Sequence, residues 1–293
     1  MLLLAGLNFM LAAGFTFILK QQLLRDPSPR LTVVNYRGVD VASVGGLLIT
    51  AAFLAIEGVG AIATLAGYPV TARDPARAFS APARLMLSAE NQGIVIVAMG
   101  FFAFGLIDDL FEGGRARGFR GHLAALSKGM VTGGVIKIVG GGLVALAAGA
   151  LWEATLIEGL GAAVIVALSA NLLNLLDLRP GRTAKAFLIW WTPLAAASWQ
   201  RVYLPVSAAV ASACLVWLPD DLKERGMLGD AGANMLGAVA GAGLALALPP
   251  VGKVIALIAL VLLTLASELW SFTAVIEKLR PLRWFDGLGR KFS

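Results

Sequence analysis

Histidine and cysteine each occur once in these 293 residues, as His122 and Cys214. One cysteine excludes an intramolecular disulfide, and so small a supply of both excludes His- and Cys-rich metal sites. Cys214 lies in an apolar run and reads as a small buried hydrophobe. Charge is scarce too. Asp, Glu, Lys and Arg make up 14% of the chain, well below the roughly 25% of soluble domains. With 58% hydrophobic residues and a mean hydropathy of +0.81, a soluble core of this size cannot hide the apolar surface. The chain therefore reads as an all-α integral membrane protein. Its net charge of +6 calls for no nucleic acid, because cytoplasmic loops of membrane proteins collect Lys and Arg in any case.

Long apolar runs are what the chain does have. They cover about 1–19, 41–67, 93–107, 133–151, 155–176, 184–198, 202–218, 231–248 and 251–276. A spanning helix needs roughly 17–25 residues, so the third and sixth runs are short and draw in polar flanks such as Asn91, Gln92 and Thr183. Met1–Leu19 has no basic residue ahead of it and no convincing cleavage site, so it reads as a retained span. The expected architecture is one domain over 1–293, a polytopic bundle of about 9–10 transmembrane helices.

Loop charge sets the orientation. With the N-terminus outside, 18 of the 24 Lys and Arg fall on inside loops and the C-terminal tail, 5 fall outside, and Lys137 lies within a span. That asymmetry predicts a cytoplasmic C-terminus. The 34 glycines include Gly133-Gly134, Gly140-Gly141-Gly142, Gly237 and Gly241 inside spans. There they let helix backbones approach closely. The outside loop 68–92 carries Pro69, Pro75 and Pro82 and receives no role.

Three aspartate-bearing segments end or begin spans on the same, inside, face. Asp108-Asp109 closes the third span. Neighbours on a helix point about 100° apart, so the two carboxylates serve different partners. Asn171, Asn174 and Asp177 recur every three residues and share one side of the fifth span. Polar side chains at a membrane face are costly unless satisfied, and this row runs into Arg179 and Arg182, whose guanidinium groups suit phosphate. Asp230 opens the eighth span between Gly229 and Gly232, where free N–H groups favour an anion. Lys128 and Lys137 add basic character after the Asp pair, and His122 reads as an ordinary loop histidine. Near the N-terminus, Asn35-Tyr36-Arg37-Gly38 precedes Gly45-Gly46, a pair that permits a tight start to the second span. The simpler roles for these residues are a helix end in water, amide bonding between helices and an N-cap.

At Ile107-Asp108-Asp109, Asn171 to Asp177, Leu228-Gly229-Asp230 and Val44-Gly45-Gly46, the chain resembles the polyprenyl-phosphate N-acetylhexosamine-1-phosphate transferases, in the same order from about Asn35 to Asp230. The resemblance implies transfer of a sugar-1-phosphate from a UDP-sugar to polyprenyl (undecaprenyl) phosphate at the plasma membrane, with release of UMP, to start a cell-wall or surface glycan. It implies Mg²⁺, with Mn²⁺ as a substitute, on Asp230 with Asp108 or Asp109. Catalytic roles would fall to Asp108, Asp109, Asp177 and Asp230. Substrate would meet Asn171, Asn174, Arg179, Arg182, Lys128, Lys137, Gly45 and Gly46. Dimers occur in that family, so a homodimer is among the expected partners.

The chain also departs from the family pattern. Pro180 stands where a second Asp is common, and Asp220 to Gly226 replaces an Asn-Pro-Ala stretch. A His-rich loop near the C-terminus is missing, and the peptidoglycan member has ten spans. These differences leave open another nucleotide donor, or a non-catalytic binding or transport relative. A transporter would carry ionisable groups near mid-bilayer and repeated halves, whereas here they gather at one face.

Overall fold

The computed structural model of the protein describes residues 1–25, 28, 31–65, 88–111 and 133–290. Lys128 and His122 lie outside the described residues, as do Pro69, Pro75 and Pro82.

Apolar runs become helices because a bilayer offers no water to backbone N–H and C=O groups, so each segment must satisfy its own. The described helices are α1 (Leu2–Arg25), α2 (Gly45–Leu65), α3 (Ala89–Phe111), α4 (Gly133–Trp152), α5 (Leu156–Leu176), α6 (Arg182–Ala197), α7 (Tyr203–Leu222), α8 (Gly229–Ala247), α9 (Pro250–Leu269), α10 (Phe272–Lys278) and α11 (Arg280–Gly287). Seven of them, α1 to α5, α7 and α9, are long and apolar enough to cross a membrane. The other two expected runs are helices as well. One is α6, of 16 residues, and the other is α8, of 19 residues, with Asp230 in its first turn.

The short third run draws in its polar flank as expected: the helix starts at Ala89, and Asn91 Nδ2 donates to Glu57 Oε2 of α2 at 3.1 Å. The last run is not one helix: the backbone turns extended at Trp270 and Ser271, where α9 stops and α10 begins. Three short strands were not foreseen. They are β1 (Thr32–Val34), β2 (Asp40–Ser43) and β3 (Gly226–Met227). β1 and β2 form an antiparallel hairpin, and β2 pairs in parallel with β3 through Ala42–Gly226 and Ser43–Met227. Asn35 shapes the turn: its Oδ1 accepts from the N–H groups of Arg37 (2.9 Å) and Val39 (3.0 Å).

Helices consecutive in the chain alternate in direction. Lys20 of α1 meets Asp220 of α7, Asp109 of α3 meets the start of α8, and Arg182 of α6 meets Asp286 of α11, all at one end of the bundle. Glu153 after α4 meets Lys253 of α9, and Trp152 meets Glu90 of α3, at the other end.

Helix α8 is the axis of the bundle. Nearly all of it is buried, with α3 and α5 packed most extensively against it and α2 and α6 beside them. Glycine makes this possible. A Cβ at Gly237 would come 2.5 Å from Ala170 Cα, one at Gly241 2.7 Å from Val166 Cα, and one at Gly105 2.7 Å from Ala231 Cα. Helix α9 lies at the opposite extreme. Val251, Val254, Ile255, Ile258, Leu262, Leu265 and Leu269 form an exposed apolar stripe at helical spacing, as a lipid-facing helix should.

A bulky residue at Gly105 forces α3 away from the start of α8. Gly105→Leu is expected to cost about 1–3 kcal/mol or more, read as a lower midpoint of thermal unfolding in detergent. Gly142→Leu is the control, since nothing stands within 4 Å of its Cβ position. Equal behaviour of the two variants would refute the close crossing.

Candidate functional site

Helix α8 starts inside the bundle, so its first N–H groups need protein partners. Leu228, just before it, offers no side-chain cap. Asp109, from the last turn of α3, supplies one across the helix contact. Its Oδ1 accepts from Asp230 N (2.9 Å) and its Oδ2 from Ala231 N (3.0 Å). A carboxylate in this place also meets the positive end of the helix dipole. Gly229 turns the chain in with a φ of 69°, and any side chain there would collide with Ser43 and Asp109.

Asp108 points elsewhere, as neighbours on a helix must. Its Oδ2 accepts from Lys137 Nζ at 3.1 Å, and the same ammonium donates to Asp230 Oδ2 at 2.7 Å. Asn174 completes the group. With its amide turned to satisfy both ends, Nδ2 donates to Asp230 Oδ1 (3.0 Å) and Oδ1 accepts from Lys137 Nζ (3.1 Å). Asn234 Nδ2 donates to the Asp230 carbonyl at 2.6 Å and steadies the helix below. Four separated segments thus meet at one cation flanked by two carboxylates. Asp108 is buried, and its Oδ1 has no hydrogen-bond partner among the described residues. Asp230 is the open member, its side chain 34% exposed.

Asp177 caps the C-terminus of α5 beside this group without bonding to Lys137. Its carboxyl is pushed well above the ordinary carboxylate range, first by burial and then by the nearby charges of Asp221 and Asp230.

The remaining expected residues are placed differently. Asn171 is exposed and makes no hydrogen bond among the described residues. Arg179 pairs with Glu277 at 3.0 Å and stacks over the Tyr36 ring at 4.4 Å. Arg182 is not free for a phosphate: buried, it grips Asp286 with two parallel bonds of 2.8 and 2.9 Å and donates to Thr273 Oγ1 at 2.9 Å. Gly45 and Gly46 serve contact. A Cβ at Gly45 would meet Trp217, and one at Gly46 would meet the backbone of Gly232.

Sequence reasoning missed a latch at the C-terminus. Lys185 Nζ donates to the carbonyls of Phe285 (3.0 Å), Asp286 (2.7 Å) and Leu288 (3.3 Å). Arg290 reaches Asp286 Oδ1 (2.8 Å) and the Pro180 carbonyl (2.9 Å). Asp286, though burial opposes its charge, is held below the usual range by Arg182 and Arg290. The available signal was the charge spacing, Arg182 with Lys185 and Asp286 with Arg290, each a helical step apart.

No family model and no curated protein matches this chain.

The donor set bears on the expected divalent cation. Among the described residues, no group of three or more His, Cys, Asp or Glu side chains is placed to hold a metal ion. The carboxylates of Asp108 and Asp230 nevertheless have the hard oxygen donors that Mg²⁺ takes. Among the described residues Asp108 Oδ1 has no hydrogen-bond partner and Asp230 is open, so these two fit a shared ion better than Asp109, whose oxygens are both engaged by α8.

Two predictions follow from the electrostatics. Lys137→Met leaves buried Asp108 without its counter-charge and is expected to cost about 3–5 kcal/mol of stability, read by denaturation in detergent. Adding Asp108→Asn to that variant should recover part of the loss, and no recovery would show that the pair is not the cause. For Asp177 the folded carboxyl holds its proton more tightly than the unfolded one. The penalty is absent below its ordinary value of 3.8 and grows as pH rises above it. Asp177→Asn should therefore match the wild type near pH 4 and melt at a higher temperature at pH 8 in metal-free buffer. The same difference at both pH values would contradict this.

Proposed function

We propose that the protein transfers a sugar-1-phosphate from a UDP-sugar to a polyprenyl phosphate at the cytoplasmic face of a membrane. The observation that carries this reading is the meeting of Asp108, Lys137, Asn174 and Asp230 at one end of the bundle. An amphiphilic phosphate arrives at that level with its chain in lipid. The loop-charge asymmetry supports a cytoplasmic site end, and so a cytoplasmic C-terminus.

In the reaction, an oxygen of the lipid phosphate attacks the β-phosphorus of the UDP-sugar. The bond from that phosphorus to the bridging oxygen breaks, and UMP leaves with the electron pair. The lipid product keeps the sugar on a diphosphate. Such a transfer asks the protein mainly for positioning and charge stabilisation. Lys137 brings a cation to the phosphate oxygens. Asn174 orients both Lys137 and Asp230, and Asp109 fixes the start of α8 so that Asp230 stays in reach. Asp177, held in its protonated form more readily than an ordinary Asp, offers a donor beside the site. Mg²⁺, held by Asp108 and Asp230, would supply neutralisation of diphosphate charge.

One observation favours a second reading, a relative that binds without transfer. The Lys137 ammonium already pairs with both carboxylates, and a resident cation of this kind lessens the need for a metal.

The test is UMP release by detergent-purified protein from a panel of UDP-sugars, with undecaprenyl phosphate and Mg²⁺. Lipid- and Mg²⁺-dependent UMP is expected, reduced roughly a hundredfold or more in Asp230→Asn. Folded protein that yields no UMP from any donor would favour the second reading.

A further inference from the structure

Apart from the Lys137 centre, a cavity of about 440 Å³ opens between the last turns of α1 and α7. Its walls are Lys20, Gln21, Leu24, Arg25, Asp220 and Arg225, none of which belongs to that centre. Among the described lining residues three cations face one carboxylate, leaving two positive charges in excess. Asp220 is fully engaged: its Oδ2 accepts from Lys20 Nζ (2.7 Å) and its Oδ1 from Arg225 Nη1 (3.2 Å). Lys20 also donates to the Val216 carbonyl at 3.2 Å, so it is fixed in the wall. The arginines are not used up. Arg225 spends one of its N–H donors, and its side chain is 62% exposed. Arg25 is exposed and makes no bond among the described residues. Two open guanidinium forks at the end of a membrane helix match the oxygens of a phosphate.

The outer face of α1 says what kind of molecule brings that phosphate. Only Ala5, Ala12 and Thr16 of this helix are buried. Leu11 and Ile18 are exposed, and with Arg25 they stand seven residues apart, two turns each, on one stripe. An amphiphile lying along this stripe has its chains on Leu11 and Ile18 and its head at Gln21 and Arg25. We infer that the cavity seats the anionic phosphate headgroup of a membrane phospholipid whose chains run along the exposed face of α1. The site does not depend on the transferase reading. Its expected effect is to strengthen the hold of α1 on α7.

The experiment uses the full chain in non-ionic detergent. Native mass spectrometry reads the lipid retained after incubation with phosphatidylglycerol or phosphatidylcholine, with and without millimolar inorganic phosphate. Wild-type protein is expected to keep phosphatidylglycerol roughly tenfold or more over phosphatidylcholine. Arg25→Gln with Arg225→Gln should abolish that preference and leaves the Lys20–Asp220 pair intact. Lys223→Gln with Arg283→Gln removes the same charge elsewhere and should keep the preference. If the first double variant does not fold, Arg225→Gln alone, at an exposed side chain, gives the same reading at smaller amplitude. Equal retention of both lipids, or an unchanged preference in the Arg25 and Arg225 variants, would overturn the inference. Displacement of phosphatidylglycerol by inorganic phosphate would also overturn it, by making this a free-anion site.

Discussion

A helix that begins in the interior of a membrane protein must find acceptors for its first N–H groups, and α8 finds them in Asp109. That one carboxylate takes two of them. Without it they would be buried and unpaired, which costs several kcal/mol in surroundings with no water. The cap has a second consequence. It fixes the last turn of α3 against the first turn of α8, so Asp108 and Asp230 are held on the same side of the contact. Gly105 and Gly229 are required by the same crossing, since a side chain at either would push the two helices apart.

Two carboxylates brought so close repel each other in a low-dielectric setting. Lys137 answers this from a third helix, with Asn174 from a fourth. Among the described residues the group holds one cation against two anions, and Asp108 Oδ1 has no hydrogen-bond partner. Buried polar oxygens are as a rule hydrogen-bonded, so an exception beside a cation calls for a cause. A centre meant to receive a further cation, or a phosphate drawn to Lys137, would keep such an opening.

Much of this was legible in the sequence. Helix positions followed from apolar runs, because a bilayer leaves the backbone few alternatives. The divergence of Asp108 from Asp109 followed from helical geometry, although which of them capped α8 did not. Asn174 and Asp230 were readable as polar groups at span ends. The failures share a physical cause. Arg182 read as a phosphate ligand because it follows the Asp177 carboxylate together with Arg179, but its partner Asp286 lies 104 residues further on. Asn171 shares a spacing with Asn174 yet is exposed, since a three-residue step drifts round the helix and α8 covers only part of that face. The strands β2 and β3 are far apart in sequence and too short for any periodic signal.

The latch on Asp286 shows why such long-range charge pairs matter here. Arg182, Arg290 and Lys185 converge on the end of α11, the two arginines on the Asp286 carboxylate and the lysine on backbone carbonyls. Breaking a buried pair costs more than forming it gains, because the remaining charge stays desolvated. The tail is thus held through the segment between α5 and α6, the one that carries Asp177 and Pro180. Arg290 touches the Pro180 carbonyl directly. The tail thus docks on the segment that ends α5 beside Asp230 without adding a side chain to the centre, and its charges, spaced a helical step apart, serve that docking.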